Sequence, residues 1–457
     1  VAGEGQHILH KGGLTLSSYL ETAQAAMNFI NTRKKQGPEG IYWSLQDAAE
    51  GRKIYYDEIC MYAGASGIIC FLLGLYDAAK DESYLEEAEE AAKYIIYRWH
   101  HDRSLKRNFS QYAFSSGWSG AGFALTRLYL ATGKQEYEEA VASIIEQAQK
   151  DAKPGAGGLG YSWSSFPGIV GDAGTVLFLL FAADTYKRED WKQFAIESGK
   201  NFFGQRREAG DGKYWYQGVD PAYFGAKDDY IDPNFPMGTA GIGFTLLKLY
   251  EASGDKEFWQ MAQGVPEFMD SVAVKIRLGR LLPHGLPDRG NLFYLGYCHG
   301  PAGTNRFLYE LYKQTDDEIY KKRIDELVQG VRDMGAPKER SEGFWNTDNI
   351  CCGTAGLLNM YLGLWAAFGE DVYYQEALKC GEVLLKDAEF STENGVETAR
   401  WPFALDRVSP DQLSTPIGCF DGAAGIGLAL LQLYQAEKGQ FHTVRMIDDP
   451  FPEEKLG

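Results

Sequence analysis

The sequence predicts an all-α protein, an α/α toroid of seven inner and seven outer helices forming one domain over residues 1–457. Three observations predict it. A Gly-x-x-Gly motif recurs seven times, each copy opens an apolar helical stretch, and charge-rich amphipathic stretches alternate with these.

The elements follow in chain order. Residues 17–34 read as an amphipathic helix, placed outside. Gly64 and Gly67 open the first inner helix, which closes on Leu75-Tyr76, and Gly117 and Gly120 open the second, closing on Leu128-Tyr129. Gly171 and Gly174 lead to Ala182-Ala183, and Gly238 and Gly241 to Leu249-Tyr250. Gly300 and Gly303 lead to Leu311-Tyr312, Gly353 and Gly356 to Leu364-Trp365, and Gly422 and Gly425 to Leu433-Tyr434. With 53 glycines in the chain the motif alone recurs about six times by chance, so the fixed downstream pair carries the signal. Each motif helix is apolar nearly all round, as a helix buried on every side must be. Between them lie amphipathic helices expected at 83–99, 135–152, 188–205, 255–272, 317–335 and 371–389. Too little chain follows Tyr434 for another, so the helix at 17–34 is expected to pack beside the last inner one and close the ring. Most of the glycines then have an architectural task, close backbone approach where the inner helices converge.

Composition narrows the function. The formal net charge of −18 repels phosphate backbones and anionic lipid, which argues against nucleic acid and membrane surfaces as partners. No stretch is apolar for long enough to span a bilayer. Residues 1–13 show no signal-peptide pattern, and without an initiating Met export stays open. Seven cysteines, two of them adjacent, do not suit a disulfide scaffold; thiols in a reducing cytoplasm are the simpler reading.

The residues just before each motif face a common centre. Two positions before the first glycine stand Tyr62, Ser115, Ile169, Pro236, Cys298, Cys351 and Phe420, and one position before it Ala63, Ser116, Val170, Met237, His299, Cys352 and Asp421. Helix N-termini favour thiolate through the macrodipole. Cys298, Cys351 and Cys352 therefore suit a tetrahedral Zn²⁺ with its fourth position open, the plain alternative being three buried structural cysteines. Cys60, Cys70, Cys380 and Cys419 read as core or loop residues.

Residues 55–67, the segment Gly296-Tyr297-Cys298-His299-Gly300-Pro301-Ala302-Gly303 and the segment Asn349-Ile350-Cys351-Cys352-Gly353-Thr354-Ala355-Gly356 resemble the LanC lanthionine cyclase family, and the similarity covers nearly the whole chain. The resemblance implies zinc ligands at Cys298, Cys351 and Cys352, with Cys at the last where His is usual, as in an all-thiolate branch of that family. It implies addition of a cysteine thiol to a dehydroamino acid in a peptide, giving a thioether. No dehydratase region is visible, so that partner would be separate. The family's His before the fourth motif is here Met237, and Ser164-Ser165-Phe166-Pro167 stands where an acid is expected before the third. His299, Tyr297, Asp232 and Asp421 are the remaining proton-transfer candidates, His299 foremost; a hydrogen-bonding role that orients the site suits His299 equally.

The longer intervals precede the fourth, fifth and seventh motifs. They hold an aromatic loop at 213–224, a segment with His284, Asp288 and Arg289, and Arg400-Trp401-Pro402-Phe403. Such loops form a substrate lip or pack on themselves. Two other functions stay open: a carbohydrate-active α/α toroid, against which the seven-fold count and the cysteines argue, and a non-catalytic zinc-containing peptide binder, which Met237 favours.

Overall fold

The computed structural model describes residues 16–45, 56–106, 110–218, 230–287, 290–404 and 407–454. Tyr55, Asp288, Arg289, residues 1–13 and the part of the aromatic loop at 219–224 lie outside them. The helices, in chain order, are α1 (Leu16–Asn31), α2 (Ala65–Ala79), α3 (Glu82–His101), α4 (Trp118–Thr132), α5 (Gln135–Asp151), α6 (Asp172–Tyr186), α7 (Glu189–Gly199) and α8 (Thr239–Ser253). They continue as α9 (Lys256–Ala262), α10 (Val265–Val272), α11 (Pro301–Thr315), α12 (Glu318–Asp333), α13 (Thr354–Phe368), α14 (Asp371–Asp387) and α15 (Ala423–Glu437).

The first glycine of every motif is the residue that caps an inner helix: Gly64, Gly117, Gly171, Gly238, Gly300, Gly353 and Gly422. The paired residues downstream mark the other end. The carbonyls of Tyr76, Tyr129, Tyr250, Tyr312 and Trp365 accept from a left-handed residue that stops the helix (Lys80, Gly133, Gly254, Asp316 and Gly369). The second glycine permits close approach. A Cβ on Gly67 would sit 2.3 Å from the Met61 carbonyl and 2.5 Å from Cys419 of the last repeat, and one on Gly120 would press on Met61 of the first.

Inner helices pack in sequence, α2 on α4, α4 on α6, α6 on α8, α8 on α11, α11 on α13 and α13 on α15, and α15 returns to α2. Each is backed by the helix that follows it, and α1 packs on α15. The core is one belt. From Ala65 to Leu75 every residue of α2 is buried, and from Ala423 to Ala436 every residue of α15 is buried.

Two outer helices differ from expectation. The stretch expected at 255–272 breaks into α9 and α10 at Gly264, where a Cβ would strike the Tyr214 ring and Pro266 starts the second piece. The stretch expected at 188–205 is α-helical only to Gly199 and then tightens into a 3-10 turn at Lys200–Gln205. Among the described residues, interhelix chain pairs into six short antiparallel ladders, including Arg206–Glu208 with Tyr214–Tyr216 and Glu389–Glu393 with Val396–Arg400. The second turns on Asn394-Gly395, both at positive φ, the backbone a tight hairpin needs. Much of the aromatic loop sequence packs inward: Tyr216, Trp401 and Phe403 are buried, the Tyr216 hydroxyl donates to the Met261 carbonyl and the Trp401 indole N–H to that of Leu384.

Candidate metal centre

The backbone two residues before the glycine caps runs around the hub as a chain of hydrogen bonds. Cys298 N–H donates to the Cys351 carbonyl (3.0 Å), Cys351 N–H to Phe420 (2.9 Å), Phe420 N–H to Tyr62 (2.9 Å) and Tyr62 N–H to Ser115 (2.8 Å). Pro236 has no N–H to give, so the run cannot pass from it to Cys298. This bonding sets Cys298 directly against Cys351 of the next repeat. Gly296 completes the approach: a Cβ there would stand 2.6 Å from Cys352 Cα and 2.7 Å from the Cys351 carbonyl. Asn349 Oδ1 accepts from Cys352 N–H at 2.8 Å, fixing the second cysteine of the pair.

The three sulfurs consequently lie within 4.8 Å of one another, with Cys298 and Cys352 Sγ 3.4 Å apart. Zinc–thiolate bonds of about 2.3 Å at tetrahedral angles place sulfurs about 3.8 Å apart, so the trio fits a zinc ion. Its ionisation also fits. The Cys351 thiol is held well below its usual range by sulfur hydrogen bonds from Cys298 and Cys352, with the Tyr62 hydroxyl and the charge of His299 helping against burial. Cys298 is pushed well above that range by its bonds to Cys351 and Cys352 and by burial. For Cys352 the bond with Cys298 acts downward, but Cys351 and burial prevail and it too is raised. Cys351 is thus the sulfur the surroundings favour as thiolate, and a cation bound to the trio would favour loss of the remaining protons. All seven cysteines are free thiols, and Cys60, Cys70, Cys380 and Cys419 are buried, which pushes their thiols up and keeps them protonated, as core residues should be.

Around the trio the proposed proton-transfer residues separate. His299 Nδ1 stands 2.9 Å from Asp232 Oδ2, an ion-pair contact outside well-aligned hydrogen-bond geometry, and both side chains are buried. Burial alone would lower the imidazole's pKa, yet the Asp232 carboxylate outweighs it and the net shift is upward. Asp232 is itself steadied by Asn234 N–H on Oδ1 at 2.8 Å. Asp421 has one carboxyl oxygen without a partner and is pushed up to about 7, by burial first and then by Cys351. The Tyr297 hydroxyl is taken up at 2.5 Å by Asp448, which also holds Arg306 at 2.8 Å. Met237 stands in the loop that leads into α8, its backbone carbonyl against Gly218.

Sequence reasoning placed Tyr62 at the hub and His284 in a lip segment without linking either to the sulfurs or to His299, and it missed Tyr294, Trp345 and Asp172. Tyr62 reaches Cys351 and stacks between Tyr56 (4.6 Å) and Phe420 (5.6 Å). His284 lies 4.2 Å from the His299 ring and 4.4 Å from Tyr294, forming with Trp345 an aromatic wall beside the cysteines. Asp172, at the start of α6, is buried and pushed up to about 7 by that burial; its Oδ1 accepts from Ser164 Oγ at 2.8 Å and its Oδ2 has no partner. Thus the segment 164–167, which lacks an acid of its own, has one bonded to it from inside the following helix. The signal was present, an Asp directly after a cap glycine.

A closed ring of paired helices carrying a converged sulfur trio at the inner-helix N-termini defines an α/α toroid with a candidate thiolate metal centre. The chain belongs to the lanthionine synthetase C-like protein family, whose model matches residues 8–196 and 55–446. Among solved structures it is similar to nisin cyclase at 13% identity, over 84% of this chain and 90% of that one, with a TM-score of 0.59. A sugar epimerase from a ruminal bacterium (12% identity, 95% and 100% coverage, TM-score 0.47) and a D-mannose isomerase (14%, 72% and 88%, 0.46) are more distant in fold. No curated protein sequence matches the chain. Among the described residues no helix is long and apolar enough to cross a membrane.

Proposed function

We propose that the chain, one domain over residues 1–457, is a zinc-dependent enzyme of thioether formation. It would join a cysteine thiol to dehydroalanine or dehydrobutyrine in a peptide supplied by a separate dehydratase, in the reducing cytoplasm. The observation that carries this reading is the convergence of Cys298, Cys351 and Cys352 Sγ within 4.8 Å in a lanthionine synthetase C-like chain. Zinc on these three sulfurs would supply a site where a substrate cysteine is held deprotonated.

The rest falls to side chains. In the addition, sulfur bonds to the β-carbon of the dehydroamino acid, the double bond's electrons move toward the carbonyl, and the α-carbon then takes a proton. His299, whose affinity for a proton Asp232 raises, is the group we assign to deliver that proton. Asp421, with its raised carboxyl, is the second candidate. Tyr297, engaged by Asp448, positions the segment that carries Cys298. Tyr62, bonded to Cys351, and Tyr294, beside Cys352 and Cys298, would exclude water from the sulfurs.

Met237 at the position of the family's His favours a second reading, a zinc-holding peptide binder without catalysis. Incubation with a dehydrated, cysteine-containing peptide separates the two. The addition conserves mass, so the catalytic reading expects the peptide to lose reaction with an alkylating reagent at unchanged mass. Persistent thiols in the presence of stoichiometric zinc would leave the binder reading in its place.

A further inference from the structure

The end of the ring remote from the cysteines, where the inner helices finish, is only half filled. The segment 443–451 enters on the α11, α13 and α15 side: Phe451 packs on Gly363 and Tyr309, and Thr443 bonds Gln432. Opposite it, between that segment, helices α4, α6 and α8 and the start of α7, lies a cavity of about 690 Å³. That size falls within the range of small-ligand sites.

Its charges are sorted by depth. The acids Asp184, Glu189, Glu251 and Glu453 are exposed at its rim together with one cation, Lys187, which pairs with Asp184, while Arg127, Arg188, Lys192, Lys248 and Arg445 are half-buried in its wall, with Asp449 the one acid at comparable depth. Some of these cations are occupied. Arg188 pairs with Asp190, Lys248 with Glu251, and Asp449 lies 4.0 Å from Arg306. Arg127, Lys192 and Arg445 make no ion pair among the described residues, and Arg445 Nε and Nη2 are buried without any hydrogen-bond partner. A guanidinium withdrawn from water without an acceptor is costly, and an anion supplies the acceptor. Phe123, Leu177, Phe181, Phe244, Met446 and Ile447 provide apolar wall beside these cations.

We propose that this cavity is a binding site for a small anion with an apolar body, an alkyl or aryl carboxylate or phosphate, its head on Arg127 and Arg445. The site is separate from the thiolate centre and does not depend on its chemistry. Titration calorimetry of the full chain with decanoate, decyl phosphate, decylamine and inorganic phosphate tests it. Decanoate or decyl phosphate should bind, and the tighter of the two assigns the head group. Decylamine should not bind, and inorganic phosphate should bind about tenfold or more weakly than decyl phosphate. Affinity should fall about tenfold in Arg127→Gln/Arg445→Gln and severalfold in Lys192→Gln, whose outer-helix position leaves segment 443–451 untouched. Binding of decylamine as tight as decanoate, no binding by either decyl anion, or unchanged affinity in Lys192→Gln and the double variant would overturn the proposal.

Discussion

Seven stretches of chain reach the hub and each ends on a cap glycine, yet their chemistry divides. Ser115, Ile169 and Pro236 occupy one side, and Cys298, Cys351, Phe420 and Tyr62 occupy the other. Both sides use the same glycine caps, and the hydrogen-bond run along Cys298, Cys351, Phe420 and Tyr62 ends on the Ser115 carbonyl. The scaffold is therefore common property, and the site comes from what each repeat places two residues and one residue before its cap. Where two adjacent repeats supply sulfur, the run brings the sulfurs within reach of one ion. The opposite side instead holds Asp172, a buried carboxyl with no hydrogen-bond partner on one oxygen.

The largest expected effect exploits that division. Cys298→Ala or Cys351→Ala should bring zinc below about a tenth of stoichiometric by metal analysis, because two thiolates and water bind it far less tightly than three. Ser115→Ala, at the equivalent position across the hub, should leave zinc content unchanged. Next, His299→Asn should retain zinc and slow thioether formation by about 10²–10⁴-fold, the range of a positioned acid. Asp232→Asn should move the alkaline limb of the rate profile to lower pH, since Asp232 is what raises the imidazole's pKa. An unshifted limb would remove His299 from the proton-transfer role. A smaller effect is expected from Gly296→Ala: its Cβ would push Cys352 away and weaken zinc about 10–100-fold in a chelator competition.

The smallest tests the other side. Asp172 keeps its proton to about 7 when folded, against 3.8 for the ordinary group. Between those values the unfolded chain binds fewer protons, so this residue makes stability fall as pH rises through the window. Asp172→Asn should flatten that fall, by about 1–3 kcal/mol across pH 4–8 in denaturant unfolding. An identical slope in the variant would show the carboxyl to be ionised in the fold.

The ring was legible because it is written locally and repeatedly. Each cap glycine and each closing Leu-Tyr-type pair recurs at one offset, and residues 17–34 carry the amphipathic pattern of an outer helix. The break at Gly264 was not legible, since it depends on Tyr214 arriving from a hairpin fifty residues away in sequence. The hairpins themselves are two to five residues long on each side, too short for periodicity to separate them from loops. At the hub the cysteines declared themselves by equivalence of position. Tyr62 and His284 did not, because an aromatic or a lone histidine in a loop gives no sign of which sulfur or ring it will meet. The aromatic loops read equally as a substrate lip or as self-packed chain, and Tyr216, Trp401 and Phe403 turn inward and are buried.

Zinc-edge X-ray absorption on the purified, metal-loaded chain tests the central claim most directly. The account predicts one zinc per chain with three sulfur neighbours at about 2.3 Å and one lighter ligand. A spectrum fitted by oxygen and nitrogen alone, or a chain that takes up no zinc, would contradict it.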